Sequence, residues 1–519
     1  MSLYTSFNIA QQSLLMNQSA LNVVSSNISN MNTDGYSKQR INATSSGYMD
    51  IVGANKTFQV SAGAQIGDIS RYRDAYLDTA YRDQNSNLKY YTELSQMASI
   101  IENSMNELSG SGLSDALSQF FTATQTLKAS PADSTARVNF VQKAQILCTQ
   151  FNQLATSFTD KRTSTVGNVT DPQSIYQSKL YGNITDVNNK LDQLAQINDI
   201  ITKSTQNNIV SSDLLDQRDK VLDELSNYMP VTIVTNSNQS INLVMNGVTL
   251  VKGNVANHLD VITGTVSNPT TIQLRNENGE VIDTNLNGKF NSGKLAACLE
   301  MGGTETGKLT FQNLLDKVDK MANEFANMMN SIQQYSSGGV NAMGIVYDAS
   351  GKPTLSDFSG SGGLPPLFSD RTGTSTPINA MNIGVDSAII SDYWKVAAAR
   401  VDTNIPDWDP KAVGNGENAG HFAAVRNQTI PGLGNMNPES YLTTTVSNMG
   451  SAIESIQFHE KAQTSLYNSV NAQRQSAIGV NMDEELVDLV KYQRAYEASA
   501  RIFNVASSIM EQIVNLGRG

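Results

Sequence analysis

The sequence is poor in the residues that build reactive or cross-linked sites. It has 2 cysteines, Cys148 and Cys298, in 519 residues, with no Cys-x-x-Cys or Cys/His spacing around either. That pattern argues against a disulfide framework and against a zinc site, and leaves two small buried hydrophobes as the reading. The 3 histidines, His258, His421 and His459, are too scattered for a metal cluster, and no Gly-x-Ser-x-Gly nucleophile context occurs. No run approaches the roughly 18 apolar residues of a membrane span. A cleaved secretory signal is not expected either, because the first charge of either sign is Asp34 and the first cation Lys38.

Charge is scarce as well. Charged residues make up 16% of the chain, against about 25% in typical domains. The difference is taken up by Asn, Gln, Ser and Thr rather than by apolar residues, since the mean hydropathy is −0.29. The net charge is −12, which excludes a sequence-independent nucleic-acid binder with a basic face. A polar but uncharged surface is easily desolvated against a neighbouring molecule.

What is present is periodicity at both ends. Leu3, Phe7, Ala10, Leu14, Asn17, Leu21, Val24 and Ile28 fall at alternating spacings of four and three. This is a heptad seam whose only polar member is Asn17. The turn formers from Asn30 to Gly35 should end that helix. At the other end Asn481, followed by Asp483, Glu484 and Glu485, predicts a helix start in the manner of a capping box. Leu486, Leu489, Gln493, Tyr496, Ala500 and Phe503 then form one stripe, and Ile502, Ala506, Ile509, Ile513 and Leu516 a second. Two such helices cannot bury their seams alone. They should pair with each other or await neighbouring molecules, so that residues 1–40 and 485–519 are expected to be protease-sensitive in the monomer.

Between the ends the pattern is helical from about Asp68 to Tyr228, with stripes such as Leu94, Met97, Ile101, Met105 and Leu108. The period switches to two at Val231, and Asn246-Gly247 and Asn278-Gly279 sit between alternating apolar runs as hairpin signals. Helix returns at Gly293–Met301 and Leu309–Ile332. A Gly/Ser/Pro-dense stretch follows, in which Trp394 and Trp408 read as packing residues. The fold class expected is therefore α+β and multidomain. Terminal helices pair as a coiled-coil-like domain (1–60 with 477–519), and a large helical bundle-like domain comprises 61–230, 293–335 and 441–476. Small β-rich insertions occupy 231–292 and 336–440. The cluster of Arg71, Arg73 and Arg82 near Asp74, Asp78 and Asp83 reads as an exposed, salt-bridged helix face of small energetic value. Asp213, Asp216, Arg218 and Asp219 read as helix-surface or interdomain pairing.

The segment Asn27-Ile-Ser-Asn-Met-Asn-Thr-Asp-Gly-Tyr-Ser-Lys-Gln-Arg40 resembles the N-terminal signature of bacterial flagellar axial proteins. Asp34 stands where that family usually has Pro, and Lys38 where it has Arg. Gly479-Val-Asn-Met-Asp-Glu-Glu-Leu486 and Tyr492-Gln-Arg-Ala-Tyr-Glu-Ala-Ser-Ala-Arg501 resemble its C-terminal partner signature. Within the family, Gly112-Leu-Ser-Asp-Ala-Leu-Ser-Gln-Phe-Phe121, Ala129-Ser-Pro-Ala-Asp133 and Asp213-Leu-Leu-Asp-Gln-Arg-Asp219 are similar to the hook-associated proteins of the hook–filament junction. A hook or distal rod protein is the alternative, but those have mainly β middle domains.

The resemblance implies a structural, non-enzymatic role without cofactors, outside the cell in the flagellum. It implies export by the flagellar type III apparatus without a cleaved signal, and self-association into a ring layer. The implied partners are the hook protein, a second hook–filament junction protein and an export chaperone; nucleic acid and a membrane span are not among them. On this reading Leu3, Phe7, Leu14, Leu21, Val24 and Ile28 form an assembly seam. Residues Asn27, Asn30, Thr33, Gly35 and Tyr36 form a joint between inner helix and outer domains that adapts to both neighbours. Leu486, Leu489, Gln493, Tyr496, Ala500, Phe503, Ile509 and Ile513 serve the chaperone first and the tube afterwards.

Overall fold

The N-terminal helix α1 (Leu3–Ser29) contains no charged residue and stops where Thr33, Asp34 and Gly35 make a turn, with Gly35 at φ +84°. A computed structural model describes residues 3–516 except 53–56, 62, 106–111, 169, 208–210, 263–269, 373–376 and 406–408; the side chains of residues 3–5, 49–52, 57, 58, 60, 61, 361 and 516 also lie outside the described set. Leu108 and Trp408 are therefore outside it, as is the side chain of Leu3.

After α1 the chain forms an antiparallel ribbon that the helical reading of this region did not foresee. Strands β1 (Gln39–Ser45) and β4 (Ala64–Arg71) pair, and β2 (Tyr48–Val52) and β3 (Thr57–Ser61) form the hairpin between them. The ribbon runs back along α1: Asn27 bonds Gln39 at its base, and a Cβ on Gly63 would lie 3.4 Å from Ile9 Cγ2 further up. Its described side chains are largely exposed and polar, so it carries little of the alternating hydrophobicity that marks a strand in sequence. It also straddles the expected boundary at residue 60.

The helical body follows: α2 (Ala75–Met105), α3 (Leu113–Ala129), α4 (Ser134–Val166), the single turn α5 (Gln173–Tyr176), α6 (Lys179–Gln206) and α7 (Ser212–Leu225). Asp133 and Ser178 cap α4 and α6 by accepting backbone N–H groups of the first turn. The inserted strands are β5 (Thr232–Thr235), β6 (Ile241–Met245), β7 (Val248–Lys252) and β8 (Val255–Ala256) in one sheet, and β9 (His258–Ile262), β10 (Thr271–Arg275) and β11 (Val281–Asp283) in another. Asn246 and Gly247 both take positive φ at the β6–β7 turn, the backbone that an Asn-Gly hairpin requires. Helices α8 (Gly293–Gly302) and α9 (Phe311–Gln333) return to the body. The outer segment holds β12 (Ser336–Ser337), β13 (Val340–Tyr347), β14 (Pro353–Ser356), β15 (Phe368–Asp370), β16 (Ile383–Val385), α10 (Ser387–Ser391), β17 (Ala399–Asp402) and α11 (Glu417–Ala424). The long α12 (Pro438–Ile478) then leads into α13 (Met482–Leu516).

The fold is α+β and multidomain, but apolar packing groups residues otherwise than by sequence range. One core joins α2, α3, α4 and α9 to part of α12 and to Leu367, Phe368, Ile383, Val396 and Phe422 of the outer segment. Its centre is aromatic, with Phe120 at 5.3 Å from Phe140 and 5.7 Å from Phe325, and Phe140 at 5.7 Å from Phe422. A second core fuses the sheets β5–β8 and β9–β11 with α6, α7 and α8, so the line drawn at residue 231 passes through continuous packing. Met343, Ile345, Leu355 and Ala399, with Trp394 and Val401 against them, form a separate outer core among the described residues.

Candidate functional site

The two termini meet as an antiparallel helix pair. Phe7 packs against Phe503 with ring centroids 4.5 Å apart and planes tilted by 35°, Asn17 Nδ2 donates to Ser499 Oγ at 3.5 Å, and Asn27 Nδ2 donates to Glu485 Oε2 at 3.0 Å. Along α1, Ala10, Asn17, Ala20, Val23, Val24 and Asn27 are buried, while Phe7, Leu14, Leu21 and Ile28 are half-buried. The heptad seam therefore faces α13, with its polar member Asn17 partnered inside the pair.

On α13 the sequence stripes divide. Leu489, Ala500 and Phe503 are half-buried, and Ala506 is buried. Leu486, Gln493, Tyr496, Ile509 and Ile513 lie on the exposed side, together with Val487, Val490, Ile502, Val505 and Val514. The side facing α1 is instead led by Glu485 and Ser499. Asn481 Oδ1 accepts the Asp483 backbone N–H at 3.0 Å as an N-cap does. Glu484 does not complete a capping box, because its carboxylate is turned to Lys38 at 2.9 Å. Lys38 also reaches Glu485 at 3.1 Å, and the two carboxylates hold its ammonium above its ordinary pKa although burial alone would lower it.

The turn motif is a polar knot rather than a loose link. Asn27 is 1% exposed and uses its whole amide: Nδ2 donates to Gln39 O and to Glu485 Oε2, both at 3.0 Å, while Oδ1 accepts from Tyr36 Oη–H at 2.8 Å and from Gln39 N–H at 3.0 Å. Asn30 donates back to Ser26 O at 3.0 Å and accepts from Thr33 Oγ1 at 3.2 Å. Burial pushes the Tyr36 phenol above its ordinary value of 10.0. Ser37 then hands the chain to the body, its N–H and Oγ–H both donating to the Asp216 carboxylate at 3.1 and 2.6 Å.

Asp216 belongs to an ionic hub where the sequence suggested an exposed face. Arg71 reaches Asp216 at 2.6 Å and Asp219 at 2.8 Å; Arg73 reaches Asp78 at 3.0 Å and Asp219 at 3.1 Å; Arg82 reaches Asp223 at 2.7 Å. From α12, Arg474 grips Asp78 at 2.7 Å and Asp223 at 2.6 Å, its guanidinium lying 4.2 Å from the Tyr81 ring centroid. Every one of these side chains is less than one fifth exposed. The reading of weak surface pairs is thus corrected: β4, α2, α7 and α12 converge and remove both signs of charge from water together. Two members of the predicted cluster stand outside the hub: Asp74 caps α2 by accepting the N–H groups of Tyr76 and Leu77, and Asp83 is exposed. Of the residues read as helix-surface or interdomain pairing, Asp216 and Asp219 are packed against Arg71 and Arg73, which fall in the same expected domain, and Asp216 also accepts from Ser37 of the terminal one. Sequence reasoning missed Asp223 and Arg474 as members, since their partners lie far away along the chain, Arg474 being 396 residues from Asp78 and 251 from Asp223.

Burial alone would raise the Asp219 carboxyl, but the guanidiniums of Arg73, Arg71, Arg82 and Arg218 hold its pKa below the ordinary 3.8. A carboxyl with a lowered pKa in the fold contributes stability above its unfolded value and loses it as pH falls through the folded value. Thermal stability is therefore expected to drop on acidification below 3.8. A circular-dichroism melting series should show a shallower acid limb for Asp219→Asn.

Two open clefts flank the hub. One, of about 510 Å³, is lined by Tyr36, Lys89, Lys220, Tyr467 and Gln475; the other, of about 590 Å³, opens beside Val23, Val24, Tyr72 and Tyr492. Among the described residues no group of three or more His, Cys, Asp or Glu is placed to hold a metal ion, and no helix is long and apolar enough to cross a membrane. Cys148 and Cys298 are buried, and desolvation pushes each thiol up to about 12. Thiolate is the reactive form, so a thiol-specific reagent should label neither cysteine in native protein and both after unfolding; fast native labelling would contradict this packing.

Three family profiles match the chain. "Flagellar hook-associated protein FlgK helical domain" covers residues 98–344, "Flagella basal body rod protein" covers 7–36, and "Flagellar basal body rod FlgEFG protein C-terminal" covers 472–516. Among curated relatives, a flagellar hook-associated protein 1 of Bacillus subtilis is 26% identical over 548 residues, spanning 99% of this chain and 98% of the relative. The protein of the same name from Salmonella typhimurium is 26% identical over 599 residues, spanning 98% and 99%. A solved structure of the flagellar hook junction protein FlgK from Burkholderia pseudomallei shares the fold with a TM-score of 0.55 at 16% identity, covering 78% of this chain and 100% of that one.

Proposed function

This chain belongs to the family of flagellar hook-associated proteins, and from that premise we propose how it serves as a structural component of the hook–filament junction. The observation that carries the reading is the outer side of α13, where Val487, Val490, Ile502, Val505, Ile509 and Ile513 stand exposed while α1 occupies the other side. Apolar surface of that extent on one helix marks a contact still to be made. Neighbouring copies would cover it as the chains close into a ring layer, with the hook protein below and a second junction protein above.

The same side would be held by an export chaperone beforehand, as an apolar helix face laid in a groove. Passage through the type III apparatus would need no cleaved signal and would leave the protein outside the cell. The family is one of structural flagellar proteins, and we propose no catalytic role for this member. The knot around Asn27 and the ionic hub would then carry load between the tube and the outer body. Any adaptation to a bending hook and a stiff filament would occur by re-forming those hydrogen bonds rather than by slack.

Deletion of the gene tests the assignment. Cells are expected to carry hooks without filaments and to release flagellin into the medium, as seen by electron microscopy and by blotting the supernatant. Normal filaments would overturn it.

A further inference from the structure

The chain contains Asn-Gly pairs at Asn246, Asn278, Asn287 and Asn415. In a free chain each can cyclise, because glycine offers no side chain to hinder its backbone nitrogen from attacking the preceding carboxamide. The fold holds three of them. Asn246 Nδ2 donates to Lys289 O at 2.6 Å and to Asn291 Oδ1 at 3.2 Å. The Asn287 amide bridges two segments, donating to Thr270 O at 2.9 Å and accepting from Ile272 N–H at 3.0 Å. The Asn415 amide donates to Arg400 O at 3.1 Å and accepts from Glu417 N–H at 2.9 Å.

Asn278 differs. It is exposed at the tip of the β10–β11 hairpin, and among the described residues its side-chain amide makes no hydrogen bond; only its backbone N–H is engaged, by Asn276 Oδ1 at 3.0 Å. A Cβ at Gly279 would meet nothing within 4 Å, so there is room for a ring and for water. The restraint on attack is the Gly279 N–H bond to Asn276 O at 2.9 Å. That bond closes onto a three-residue edge strand whose register slips between Leu274 and Arg275, and short edge elements open locally at low cost.

We infer that Asn278 is a site of spontaneous deamidation in the folded protein. The Gly279 nitrogen gives up its proton and bonds to Asn278 Cγ, the Cγ–Nδ2 bond breaks, and ammonia leaves. Water then opens the resulting succinimide at either carbonyl, yielding aspartate or isoaspartate. No oxidant or reductant takes part. The product adds one negative charge beside Glu277 and Glu280, and like charges on neighbouring positions repel. The isoaspartate form also lengthens the backbone in the turn whose Asn278 and Glu280 N–H groups both donate to Asn276 Oδ1, so β11 should loosen from β10. In a subunit built into a lasting organelle, a consequence that rests on the function proposed above, the converted fraction would rise with age.

The test is incubation of full-length protein in heavy-oxygen water at mildly alkaline pH, followed by peptide mass mapping, with a urea-unfolded sample in parallel. The folded protein is expected to take up label at Asn278 about tenfold faster than at the other three sites, which is what a local opening difference near 1.4 kcal/mol corresponds to. The unfolded chain should label all four at comparable rates, and Asn278→Gln should abolish the fast conversion. Equal labelling of the four sites in folded protein, no labelling at Asn278, or the same ranking after unfolding would each overturn the inference.

Discussion

Replacing Arg474 with methionine should lower the stability of the folded protein by about 3–5 kcal/mol, the cost of stranding buried charge when one partner is removed. Arg474 is the only cation that α12 contributes to the hub, and it holds Asp78 and Asp223 at once with a side chain 6% exposed. Methionine fills similar volume, so the loss would measure the unpaired carboxylates rather than a cavity. Its packing against Tyr81 goes as well. Thermal unfolding at neutral pH reads the effect. The double replacement of Arg474 by Met and Asp223 by Asn should recover part of it, because one stranded charge disappears. A single mutant within about 1 kcal/mol of wild type would restore the surface-pair reading of this cluster.

Asn27→Ala should act on assembly more than on the body. The substitution removes four hydrogen bonds from a residue that touches α13, Tyr36 and the start of β1 together, and leaves the Glu485 carboxylate, 2% exposed, with Lys38 alone. A hydrogen bond to a buried charged group contributes about 1.5–3 kcal/mol. That is enough to free the terminal pair from the hub while the aromatic core around Phe120 stays intact. Electron microscopy should then show few or no filaments on cells producing the variant, although the purified variant keeps the main melting transition. Normal filament numbers would mean that the knot is dispensable to the junction.

The parts legible in the sequence were those whose signal is local. A heptad repeats within seven residues, so Phe7, Ala10, Leu14, Asn17, Leu21 and Val24 announced a seam without knowledge of its partner. Asn246-Gly247 announced a hairpin because both residues accept positive φ. The ribbon at 39–71 was missed since an exposed two-stranded ribbon needs no hydrophobic alternation. The stripes on α13 were legible as apolar, but which side meets α1 was not: Glu485 and Ser499 face the partner while Val487, Ile502 and Ile513 do not.

The charged cluster shows the limit most clearly. Arg71, Arg73 and Arg82 interleave with Asp74, Asp78 and Asp83 at spacings that on an isolated helix make exposed pairs. Whether such a face stays in water depends on what docks there, and the docking elements are α7 and α12, the latter some four hundred residues further along. By itself the sequence determined what short-range periodicity and composition can encode: helical ends with unburied seams, a low-charge surface, inserted strands, and no reactive cysteine or histidine array. Tertiary structure alone decided the solvation of each charge and the orientation of each helix face, because both depend on contacts between residues far apart in the chain. The hub that ties the termini to the body is such a case, burying four arginines and four aspartates that the sequence spreads from Arg71 to Arg474.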